Sequence, residues 1–147
     1  MLRYVFAVIG GIAVGSIVNM ILVSTGAALI HFPTGVDPND AASVAAGAHL
    51  FETRHYVFPF LAHAAGAFTG AATAAVLALR QKLWFALGIG ALNLAGGVAA
   101  AIMIPAPITF VVLDLTIAYL PMAWLGWATV IRLAPPEQKL NNNRDRA

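Results

Sequence analysis

Apolar residues fill four long stretches of the chain, Tyr4–Ile30, Tyr56–Leu79, Leu83–Ile104 and Ile108–Ile131, with short polar segments between them. Each is long enough to cross hydrocarbon as an α-helix, which takes about 20 residues rising 1.5 Å apiece. The connections Arg80-Gln81-Lys82 and Pro105-Ala106-Pro107 admit only antiparallel hairpins. The pattern therefore predicts an all-α membrane protein of four antiparallel transmembrane helices. A short extracytoplasmic helix is expected between the first and second. Residues 1–133 form one transmembrane domain, and 134–147, rich in Pro, Asn and charge, read as a disordered cytoplasmic tail. The first run exceeds a signal-peptide core and no A-x-A site follows it, so it reads as an uncleaved span.

Inside the spans, small residues recur at helical spacing. The first carries a stripe of Gly11, Gly15, Ser16, Asn19 and Gly26, and the second a ridge of Ala62, Gly66, Gly70 and Ala74 with His63 beside it. The third has two stripes, Gly88/Ala91/Ala95/Ala99 and Gly90/Asn93/Gly97/Ala101. Lipid supplies no hydrophobic force between helices, so bare surfaces mark where backbones approach closely. The second and third spans are the expected close pair. Asn93 should turn its stripe inward, because an amide has no partner in lipid. Pro121 should kink the fourth span near its middle and free the carbonyl of Ile117. Trp124 and Trp127 approach the inner interface.

The outer connection breaks helix at Pro33 and Gly35, then restarts at Asp37-Pro38-Asn39-Asp40. Asp37 reads as the cap, with Pro38 in the first helical position and Asp40 three residues on, predicting a helix over Ala41–Thr53 along the outer boundary.

Composition strengthens the membrane assignment: 61% of residues are hydrophobic and 10% charged, against about a quarter charged in soluble domains. Charge placement adds orientation. Arg3, Arg80, Lys82, Arg132, Lys139, Arg144 and Arg146 fall on one side of the four-span scheme and Arg54 alone on the other. The positive-inside rule puts both termini in the cytoplasm, as expected of a multi-pass membrane protein with an even number of spans. The inner cations suit orientation and anionic headgroups, and no nucleic-acid signature is present. The absence of cysteine excludes disulfides and thiolate chemistry.

Four segments carry a resemblance: A-H-A-A-G-A-F-T-G-A (62–71), I-P-A-P-I-T-F-V-V-L-D-L (104–115), Y-L-P-M-A-W-L-G (119–126) and F-P-T-G-V-D-P-N-D (32–40). Together they resemble a group of small bacterial four-span membrane proteins with no assigned activity. The resemblance implies the four-span fold and a bacterial inner membrane, and carries over no functional residues.

Candidate chemistry follows from depth. His63 lies about seven residues inside the outer end of its span and Asp114 about six, so both sit ~10 Å down. Asn19 and Asn93 share a deeper level, ~17 Å down, where they are expected to bond one another or the backbone at Pro121. Tyr119 falls near that second level. An ionised Asp facing lipid costs at least ~2.5–3.5 kcal/mol, so Asp114 should face inward, paired with His63. The pair reads either as structural glue or as a proton-handling or ligand site. His49, Glu52 and His55 are weak candidates for a metal, Zn²⁺ by ligand type, and E-x-x-H occurs once, as Glu52–His55. More plainly these are histidines of the membrane surface, and no cofactor is expected.

The leading reading is a non-enzymatic integral membrane protein that self-associates, as a homo-oligomer, or accompanies a membrane partner. A transporter or channel subunit using His63, Asp114 and Asn19 is the alternative. A metal-dependent or acid–base membrane enzyme is the second.

Overall fold

The computed structural model describes residues 2–134, all helix and connections without strands. The elements are α1 (Leu2–Leu29), α2 (Ala41–Gly47) running into a 3₁₀ turn (Ala48–Leu50), α3 (Thr53–Leu77), α4 (Lys82–Met103), α5 (Ile108–Ile117) and α6 (Leu120–Leu133). α1, α3, α4 and the α5–α6 pair are each long and apolar enough to span a membrane. The tail beyond Ala134, with Lys139, Arg144 and Arg146 and its expected disorder, lies outside the described residues.

α3 is the axis of the bundle, packing against α1 on one side and against α4 and α6 on the other. Its sequence explains this, because Ala62, Gly66, Ala67, Gly70, Ala71 and Ala74 are all buried and leave the backbone bare around much of the helix. The ridge, however, goes chiefly to α1 rather than to α4, which corrects the pairing expected from the sequence. α1 presents Gly11 and Gly15 at the same four-residue spacing. A Cβ at Gly15 would stand 2.8 Å from the Gly66 carbonyl oxygen, and one at Gly70 would stand 2.7 Å from that of Gly11. With glycine on both sides the backbones meet directly, a closer fit than α4 offers through Ile89.

α4 does turn Gly90 and Gly97 inward, as expected from Asn93, and leaves Gly88, Ala91, Ala95 and Ala99 exposed. Gly90 receives Ala123 of α6, while on α6 Gly126 lies against the Phe68 carbonyl of α3. Trp127 is not an interfacial ring but a core one, 8% exposed among Ala71, Ala75, Ala86 and Ala123. Trp124, by contrast, is 47% exposed.

Two further expectations are corrected. The short helix between the first two spans starts at Ala41, not Pro38. Its cap is Asp40, which accepts from the backbone N–H groups of Ala42 and Ser43, while Asp37 turns back to accept from Asn39. That helix ends at Gly47, and Thr53 opens α3 instead. The fourth span breaks outright at Ala118–Tyr119, ahead of Pro121, with Tyr119 at φ −112° and ψ −81°. Pro121 then occupies the first turn of α6, where its missing N–H costs nothing.

Candidate functional site

His63 and Asp114 meet, at the level their depths suggested. The ridge directs Ala62 and Gly66 into the packing of α3, and one residue further round the helix His63 turns toward the fourth span. Its Nδ1–H donates to both carboxylate oxygens of Asp114, at 3.0 and 2.9 Å. The carboxylate is nearly sealed, with 5% of its side chain exposed against 24% for His63.

Tyr119 completes the site. Its O–H donates to Asp114 Oδ2 at 3.0 Å, and its ring stacks on the imidazole with centroids 5.5 Å apart. In an unbroken helix, residues five apart point about 140° away from each other. The break at Ala118–Tyr119 is what folds the ring back toward Asp114. Space for it comes from α4, where any Cβ at Gly97 would overlap the Tyr119 ring. Sequence reasoning named Tyr119 but left it at the deeper level. The available signal was a proline two residues on, marking a span whose regular spacing fails.

Around the three polar groups the packing is apolar. Ala64, Ala67, Ala118 and the Tyr119 ring are buried together, flanked by Phe60, Leu94 and Leu115. Asp114 thus has two donors in apolar surroundings, the condition under which a buried carboxylate is stable. The arrangement fixes the imidazole with Nδ1 as donor.

The deeper pair does not form. Asn93 donates to the Ile89 carbonyl of its own helix, 3.0 Å away, and Asn19 packs its Cβ toward Gly66 across the α1–α3 contact. For Asn93 its own helix offers a nearer acceptor than the opposite amide, and neither residue joins the site.

Glu52 and His55 close the N-terminus of α3 in a reciprocal capping box. His55 Nδ1 accepts the Glu52 backbone N–H at 2.9 Å, and Nε2 donates to the His31 carbonyl at 3.2 Å. The Glu52 carboxylate pairs with Arg54 at 3.1 Å, and His49 Nδ1 bonds the Ala46 carbonyl at 2.9 Å. The E-x-x-H spacing here serves the helix end. Among the described residues, no group of three or more His, Asp or Glu side chains is gathered for a metal ion. An aromatic cluster joins these helix ends, with Phe51 stacked on His55 at 5.3 Å and set edge-on to Phe32 at 5.5 Å.

Comparison with models of protein families, with curated proteins and with solved structures returns no match to this chain.

Proposed function

We propose that this chain is a small, non-enzymatic protein of a bacterial inner membrane, both termini cytoplasmic, which works by associating with a second copy or a membrane partner. The observation that carries the non-enzymatic reading is the satisfaction of its buried polar site. Asp114 is held between His63 and Tyr119, and none of the three lines the cleft at Tyr4 and Arg80 or the pocket between Val23 and Phe58. The orientation is supported by Arg3, Arg80, Lys82 and Arg132 at one end of the spans and Arg54 at the other.

Association is supported by α4. Gly88 and Gly96 lie on its exposed surface with nothing within 4 Å of a Cβ at either position. A backbone so bare accepts another helix closely. Energy transfer between labelled copies in lipid vesicles, followed on dilution with lipid, tests this. Wild type should show transfer that a G88I/G96I variant loses. Transfer no greater than that of random mixing would defeat the reading.

A second reading draws on His63, whose side chain is 24% exposed. An imidazole backed by a carboxylate and open on one side suits proton handling. Proton flux into vesicles that disappears in Asp114→Asn would establish it in place of the first.

A further inference from the structure

At the end of the bundle opposite the polar site, a cleft of about 400 Å³ lies between the start of α1 and the α3–α4 turn, lined by Tyr4, Arg80, Gln81 and Phe85. Its two walls differ chemically. Tyr4 and Phe85 stack at 5.2 Å and 8°, making one flat apolar side. Arg80 and Gln81 make the other. Gln81 also begins α4, yet no side chain caps that helix, so its first amides have no side-chain acceptor.

Among the described residues, the cations at this end face no carboxylate. Among the described residues the carboxylates are Asp37, Asp40, Glu52 and Asp114, all in the outer connection or the outer half of the fourth span. The ion pairs they form are Glu52–Arg54 and Asp114–His63. Arg3, Arg80, Lys82 and Arg132 therefore have no carboxylate partner among those residues. Beside the cleft the surface is strongly apolar, with Leu2 71%, Phe6 58% and Trp84 71% exposed. A ligand that fits must be anionic at one end and hydrocarbon at the other.

We infer that this cleft binds the phosphate of an anionic phospholipid, Arg80 engaging the phosphate and the Tyr4–Phe85 stack the glycerol and upper acyl chains. Guanidinium and phosphate make strong, charge-assisted hydrogen bonds, and aromatic rings favour this depth of the bilayer. The inference rests on the four helices spanning a bilayer, not on self-association.

Native mass spectrometry of the full-length protein released from detergent tests it, with phosphatidylglycerol or phosphatidylcholine added. Wild type should retain phosphatidylglycerol in preference to phosphatidylcholine. R80Q should lower that retention about five-fold, the effect of one cation near a lipid surface, and R80K should restore much of it. R132Q removes the same charge from the same end but outside the cleft, and should leave retention unchanged. Equal retention of the two lipids by wild type, a reading that needs no variant to fold, overturns the inference. So does an R132Q loss matching that of R80Q, which would indicate diffuse attraction. Displacement of the lipid by millimolar glycerol 3-phosphate would assign the cleft to a soluble phosphate instead. None of these outcomes bears on the energy-transfer measurement, so the two proposals fail separately.

Discussion

The glycine contact between α1 and α3 and the polar contact between α3 and α5 hold helices together by opposite means. In the first, Gly11 and Gly15 face Gly66 and Gly70, and the nearest atoms across the gap are backbone carbonyl oxygens. In the second, a nearly sealed carboxylate accepts from an imidazole on one helix and a phenol beyond a helix break. Lipid tails are as apolar as Leu, so burying Leu between helices gains little. What remains is dispersion through very close approach, helped by weak Cα–H···O contacts, or a polar group that only a partner can satisfy. The first mechanism needs many small residues and no particular partner atom. The second needs three atoms in one place, and here it needs the helix to break.

The comparison is broken most severely at Gly70. A valine there places Cβ 2.7 Å from the Gly11 carbonyl oxygen, which is part of a rigid helix and cannot give way. We expect Gly70→Val to cost about 3 kcal/mol, the upper end for overpacking, read as the free energy of unfolding in micelles. A loss under half that value would mean that α1 is not tightly held.

Next comes Asp114→Ala, which strands the His63 and Tyr119 donors together. Leaving buried polar groups unmet costs about 1–3 kcal/mol, and we expect about 2. Asp114→Asn retains an acceptor and should lose less than half as much. If the two variants are equally stable, the carboxylate is not what joins the spans.

Tyr119→Phe is smaller again. Hydrogen bonds between membrane helices average about 0.6 kcal/mol and reach about 1.7, and this one should fall in that range. In a double-mutant cycle with His63→Ala the two losses should couple, since both donors share Asp114. Strict additivity would show that they act separately.

The smallest effect is a gain. Gly96 sits in the interior of α4 with no neighbour near a Cβ, so Gly96→Ala should stabilise the isolated chain by about 0.5–1 kcal/mol. A destabilisation that appears only at high protein-to-lipid ratio would show that another helix covers this surface.

Much of the site was legible from residue counting. His63 and Asp114 share a depth because helix rise is constant, and an intramembrane Asp needs a partner wherever it sits. Tyr119 was not legible as a member, since its place depends on φ and ψ at the break. Nor was the choice of Asp40 over Asp37 as the cap of α2, because both lie in a run where either carboxylate reaches a free amide.

The sequence by itself determined the four spans, their antiparallel order and the bare stripes Gly11–Gly15, Gly66–Gly70 and Gly90–Gly97. Those properties follow from local chemistry: backbone groups in lipid must bond within their own segment, and small side chains stay small in any packing. The tertiary structure decided which stripe met which, giving the α3 ridge to α1 and the Gly97 gap to the Tyr119 ring. It also sent Asn93 to its own helix and Trp127 to the core. Those outcomes turn on helix rotation and on the break in the fourth span, which are set by all the contacts at once and by no single stretch of residues.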